Sequence, residues 1–191
     1  PTSAEQRAEG FKVVYEGHAC QWNGPSWPFA TAQTLTGLAR TLQRDGESAN
    51  ITKDVYFETL QTYSNSHRRV NEDGKTVCWI DENLNPFTGD WISRTMLLAI
   101  DYKYKERGKD YNHSSFCDLV ISGLVGVQPQ ADGSIVIEPL IPEGEWDWFS
   151  LSRIPCAGKE ISVIYDRTGE HYGCKPGLTV YVDGRKAAHS D

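Results

Sequence analysis

Apolar residues recur at helical spacing in three places along the first two-thirds of the chain. Between residues 31 and 44, Leu35, Leu38, Ala39 and Leu42 fall on one face, and Gly46 follows as a stop, which predicts a helix. Thr52 is placed to cap a second helix running to about His67, with Val55, Leu60 and Tyr63 near the 3.6-residue period. Phe116, Leu119, Val120, Gly123, Leu124 and Val127 mark a third amphipathic helix that Ser114 can cap, within which Gly123 and Gly126 read as points of close packing. Residues 92 to 107 fit either a further helix or an ordered loop. Past Gln128-Pro129 the period changes from helical to alternating. Residues 134–138, 148–152, 161–165 and 178–182 read as short strands bounded by turn residues, with Asp132-Gly133, residues 167–170 and Asp183-Gly184 as turns. Helices first and antiparallel strands afterwards make an α+β chain.

Composition narrows the function classes. The chain has 191 residues, 39% hydrophobic and 24% charged, and no apolar run approaches the roughly 20 residues of a membrane span. A net charge of −7 without any basic block would repel a phosphate backbone, which argues against a nucleic-acid partner. The five cysteines are odd in number and contain no CxxC pair, so they are expected to be mostly buried free thiols rather than zinc ligands or a disulfide framework. His18, His67, His171 and His189 lie in unrelated settings, and no metal or cofactor is expected. The chain starts without Met or signal peptide and reads as a fragment, periodic in no repeat, with a periplasmic or secreted parent favoured over a cytoplasmic one.

Three aromatic, helix-poor segments can carry chemistry. The first, Gln21-Trp22-Asn23-Gly24-Pro25-Ser26-Trp27-Pro28, is a rigid corner able to present a stacking wall to a pyranose, although composition alone favours a packed turn whose Trp rings fill a core. The second, from Trp79 to Gly89, sets Asp81 and Glu82 side by side among aromatics. A general base must be an ionised carboxylate within reach of a water, and adjacent residues rarely face the same way, so one of the two is the candidate. The same residues also suit a turn with surface acids. The third, Asp110-Tyr111-Asn112-His113-Ser114, leads into the third helix, where His113 can bond a substrate hydroxyl or serve the local structure.

In order and spacing these segments resemble the C-terminal part of the catalytic domain of the inverting (α/α)6-toroid glycoside hydrolases, the clan of trehalase, family 63 α-glucosidase and mannosylglycerate hydrolase. Trp22-Asn23-Gly24-Pro25-Ser26-Trp27-Pro28 is similar to the clan's Trp-x-Gly-Pro-x-Trp-Pro segment, which lines the sugar subsite. Glu82-Asn83-Leu84-Asn85-Pro86-Phe87-Thr88-Gly89 is similar to its Glu-x-Tyr-(Asn/Asp)-Pro-x-Thr-Gly segment, whose Glu is the general base. Leu84 replaces the usual aromatic. Tyr111-Asn112-His113-Ser114 stands in place of an aromatic-Gly-Trp-Ser motif, with His113 where the clan has Trp.

The resemblance implies a fold, a substrate and a division of labour. The fold would be a partial toroid of three or four helices over residues 1–130, followed by an antiparallel β-sandwich-like cap over 131–191. The substrate would be an oligosaccharide or glycoside. Glu82 would be the base, with Trp22, Asn23, Gly24, Pro25, Trp27, Asp81, Tyr111 and His113 along the subsite. Inverting hydrolysis also needs an acid roughly 6.5–9.5 Å from the base. Asp81 is too close in sequence to sit across a sugar ring from Glu82, so the acid is expected from an N-terminal half of the same protein. The chain alone would then be inactive, and it would cover its open helix faces with that half or with a second copy. A non-catalytic carbohydrate-binding module and a purely structural domain are the alternatives.

Overall fold

The computed structural model of the chain describes residues 25–85, 91, 110–111 and 114–191. The architecture is α+β, with helices followed by antiparallel strands. The predicted helix or loop at 92–107 lies outside the described residues.

Helix α1 (Pro28–Asp45) begins on a proline, whose fixed φ suits the first helical position and whose missing N–H is not needed there. Its first turn closes when the Thr31 amide donates to the Trp27 carbonyl at 2.9 Å, and its end is marked by Gly46 N–H donating to Leu42 O at 2.9 Å. Leu35, Ala39 and Leu42 are buried as the spacing predicts. Helix α2 (Lys53–Ser66) is capped by Thr52, whose Oγ1 accepts the Val55 amide at 3.2 Å. The cap is the expected one, but the buried face differs. Tyr56, Phe57, Leu60 and Tyr63 are buried, whereas Val55 is 42% exposed, because the capped first turn directs position 55 away from the row at 56, 60 and 63.

The third helix departs from expectation. A short α3 (Ser115–Asp118) passes into a π-helical turn over Leu119–Leu124, with the Val125 amide donating five residues back to Val120 O. The wide turn lets the Leu119 carbonyl accept the Tyr56 hydroxyl at 2.7 Å, and burial pushes that hydroxyl well above the ordinary tyrosine range. Gly123 is required there, since a Cβ would lie 2.0 Å from the Tyr56 hydroxyl oxygen. Gly126 is not helical as expected: it has φ of +75°, and a Cβ on it would meet the Glu138 carbonyl oxygen.

The strands include four that the sequence pattern did not announce, one of them holding Val127, which was expected on the third helix. A hairpin of β1 (Arg68–Val70) and β2 (Thr76–Cys78) follows α2, turned by Asn71, whose Oδ1 accepts the amides of Asp73 and Lys75. A second hairpin pairs β3 (Val127–Pro129) with β4 (Ile135–Ile137), and Asp132 caps its turn by accepting the Ser134 amide. The largest sheet is an antiparallel meander, β5 (Trp148–Cys156), β6 (Lys159–Asp166), β7 (Gly177–Val182) and β8 (Arg185–Ser190), in that order. Its outer strand β5 carries a bulge between Leu151 and Ile154, with Arg153 at φ +60°, and the β7–β8 register shifts at Val180/Tyr181. Strand β8 was not predicted because Arg185-Lys186-Ala187-Ala188 shows no apolar alternation.

The described residues fall into two compact units, one drawn from Pro1–Leu35 and Thr59–Phe116, the other from Thr36–Glu58 and Cys117–Asp191. The second unit has its core at Val125, Val127, Phe149, Ile161 and Val163, with inward residues of β6 alternating as a half-buried strand requires. The first has a core of Trp79, Leu84 and Trp91. The cysteines correct the expectation of buried thiols: Cys78, Cys117, Cys156 and Cys174 are unbridged, but Cys78 and Cys117 are exposed and the other two half-buried. Cys156, at the end of β5, packs against the core of the second unit without being enclosed by it. Among the described residues no helix is long and apolar enough to cross a membrane, and no three His, Cys, Asp or Glu gather as metal ligands.

Candidate active site

The loop from Trp79 to Asn85 is built by packing at its ends and hydrogen bonds in its middle. Hairpin β1–β2 returns the chain to the end of α2, where the Trp79 amide donates to His67 O at 3.1 Å. The Arg69 guanidinium lies 4.0 Å over the Trp79 ring, a cation–π contact that covers the indole's outer face. Trp91 donates its indole N–H to Ser66 O at 2.9 Å, and its ring stacks near His67, which also meets Tyr63 and Phe116 edge to face. Burial pushes the Tyr63 hydroxyl up to about 12, so it stays a neutral member of this aromatic floor.

Asp81 and Glu82 separate as adjacent residues should. Asp81 has no exposed surface. Its Oδ1 accepts the Glu82 amide at 2.7 Å, and its Oδ2 faces the Trp79 indole N–H at 3.4 Å. A buried carboxylate must be hydrogen-bonded to be tolerated, and here those bonds fix the peptide that carries Glu82. Glu82 itself is half-buried, between a fixed backbone and solvent. Asp81, expected along the subsite, is enclosed at the base of this loop.

Backbone hydrogen bonds join this loop to two segments distant in sequence. Ser26 and Leu84 form an antiparallel bridge, each amide donating to the other's carbonyl at 2.8 and 2.9 Å. The Asp110 amide donates to Ile80 O at 3.0 Å, which sets Asp110-Tyr111 beside the residue preceding Asp81. Segments 26–27, 80–85 and 110–111 are thereby neighbours. Pro25 and Trp27 are buried, Trp27 at 7% exposure, while Tyr111 is 38% exposed. Trp22, Asn23, Gly24 and His113 lie outside the described residues.

Sequence reasoning did not single out Arg69, His67 or Trp91, which line or brace the loop. Their only sequence signal is aromatic and basic content on either side of it, and nothing in spacing foretells that residue 91 returns to residue 66.

Comparison with known proteins gives a consistent picture. Residues 1–114 match the model of the mannosylglycerate hydrolase MGH1-like glycoside hydrolase domain, and residues 130–189 match that of the glycosyl hydrolase family 65 C-terminal domain. A solved structure titled "Sialidase" is similar at 35% identity and a TM-score of 0.78, over 99% of this chain and 16% of its own. The chain thus spans about a sixth of that protein's length. The resemblance to toroid glycoside hydrolases read from the three segments agrees with both family matches.

Proposed function

Because the chain belongs to the mannosylglycerate hydrolase MGH1-like glycoside hydrolase domain family, we propose that it is the base-bearing part of an inverting glycoside hydrolase. Glu82 is the general base: half-buried, it takes a proton from a water that attacks the anomeric carbon, while an acid across the sugar protonates the leaving oxygen. Asp81 is a positioning residue, holding the Glu82 peptide through its buried carboxylate. Trp22, Asn23, Gly24, Pro25, Trp27, Tyr111 and His113 form the walls of the subsite. The acid is assigned outside these 191 residues, so the chain alone holds sugar without turning it over. In this reading residues 1–130 complete a toroid begun elsewhere, and 131–191 form its β cap.

The observation that carries the reading is the joining of 26–27, 80–85 and 110–111 by backbone hydrogen bonds, three segments that a sugar site on such a ring would need together. The family's printed name makes mannosylglycerate the first substrate to assay, and the similar protein's title makes sialosides the second. The deciding experiment is single-turnover hydrolysis by the complete protein carrying Glu82→Gln or Asp81→Asn. Loss of turnover with Glu82→Gln and its survival with Asp81→Asn supports the assignment; the reverse pattern refutes it.

A further inference from the structure

The second unit holds a cleft that the hydrolase reading leaves unused. It has a volume of about 300 Å³, with Trp148 and His171 on one side and Asp147, Arg167, Thr168 and Glu170 around the rim. Trp148 is among the most exposed large apolar side chains, at 49%, although it starts a strand whose next residue, Phe149, is in the core. An indole half open at that position leaves apolar ring surface within reach of a ligand.

The indole is held in one orientation. His171 lies parallel to it, 3.8 Å between ring centres and 4° from coplanar, and Tyr172 meets both rings edge-on at 6.1 and 4.6 Å. The loop bearing His171 is fixed by buried Asp166, whose Oδ1 accepts the amides of Thr168 and Gly169 and whose Oδ2 accepts that of Tyr172. Burial alone would raise the Asp166 carboxyl, but those amides and the nearby His171 hold it below the usual carboxylate range, so the hub is an anion. Asp147 closes the other side: its carbonyl accepts the Arg167 amide and its Oδ1 the Arg167 Nε at 2.8 Å. A preorganised aromatic plate edged by hydrogen-bonding groups results, with little ordering left to do on binding.

The charges choose the ligand. Among the described lining residues Arg167 is the one Lys or Arg side chain and is already paired with Asp147, while Asp166 and Glu170 add two further acids. A phosphate or a sugar acid would meet net repulsion. A neutral pyranose would not: its C–H face stacks on an indole, and its hydroxyls donate to carboxylates. We propose that the Trp148 cleft is an accessory binding site for a neutral saccharide, separate from the loop of Glu82. The choice of a saccharide among neutral ligands rests on the glycoside hydrolase reading, and the test separates the two.

Titrate the isotopically labelled 191-residue chain with mannopentaose, maltopentaose and N-acetylneuraminic acid, following amide and indole N–H resonances. One neutral oligosaccharide should shift the Trp148 indole and the amides of 147–148 and 167–172, with affinity about tenfold weaker in Trp148→Ala. Trp148 is exposed, so folding should survive, and His171→Ala, which removes the plate's backing, should weaken binding independently. No shift there at tens of millimolar sugar, an unchanged affinity in both variants, or preference for the sugar acid overturns the proposal. Shifts at 26–27 and 80–85 alone overturn it while sparing the hydrolase reading; binding at Trp148 by a complete protein that cleaves no glycoside does the opposite.

Discussion

The loop of residues 79–85 and the four-stranded sheet β5–β8 solve the same problem, a buried backbone full of polar groups, in opposite ways. In the inner strands β6 and β7 of the sheet the amides have their places in a repeating ladder, and alternation decides which side chains go in. In the loop each group has an individual partner: Asp81 for the Glu82 amide, His67 for the Trp79 amide, Ser26 for both polar groups of Leu84. A ladder tolerates the loss of one rung. A set of single partners does not, but it can hold a carboxylate where a regular strand could not.

The largest test of that difference is chemical. Glu82→Gln in the complete protein should lower turnover by about 10²–10⁴-fold with its melting temperature unchanged, as read by single-turnover kinetics and calorimetry. A melting shift as large as the kinetic loss would mean that Glu82 holds the loop rather than serving it. Next come two structural changes, one in the loop and one in the π-helical turn. Asp81→Ala strands the Glu82 amide and should cost about 1–3 kcal/mol in denaturant unfolding, with local loss of amide protection from exchange around 79–85. Gly123→Ala should cost a similar 1–3 kcal/mol by driving a methyl into Tyr56, and Tyr56→Phe in the same chain should recover part of it. Recovery absent, the close approach is not what demands glycine.

A smaller effect belongs to the cap. Thr52→Ala should cost about 1 kcal/mol, and Thr52→Ser should restore most of it. The smallest is at the chain end, where Lys175 and then His189 bond Asp191 and hold its carboxyl below the usual range. Its folded pKa lies below the unfolded one, so its stabilisation is present above the ordinary carboxylate range and lost as pH falls through the folded value. Melting curves of the wild type and Asp191→Asn should therefore differ slightly at neutral pH, converge in acid, and converge also at high salt.

How much of this was legible in the sequence follows the same division. Helices α1 and α2 were readable because a 3.6-residue stripe is closed by Gly46 in one and opened by the Thr52 cap in the other, though the start of α1 at Pro28 fell inside what read as a non-helical corner, and β6 because Ile161 and Val163 alternate with polar neighbours. The π turn was not, since the Tyr56 hydroxyl that it accommodates comes from 63 residues upstream. Strands β1 and β2 were missed because Arg68 to Cys78 has no apolar alternation, and the pairing is instead set by the Asn71 turn. Glu82 and Asp81 could be named from their aromatic, turn-rich setting and from family likeness. That Asp81 is enclosed, and that Trp91 returns to Ser66, depends on contacts between positions that no local pattern links.

The outer strands of the meander carry a further consequence. An exposed strand edge is a template on which another chain can add, the route to fibrils and domain-swapped polymers. Here β5 is broken by the Arg153 bulge, and β8 joins β7 with a register slip and places Arg185 and Lys186 on its rim. A kinked border on one side and a charged, shifted one on the other offer an incoming strand no straight row of amides to copy. The irregularities that spoil the alternation of β5 and β8 in the sequence are thus what keep crowded copies of the sheet from growing into one another.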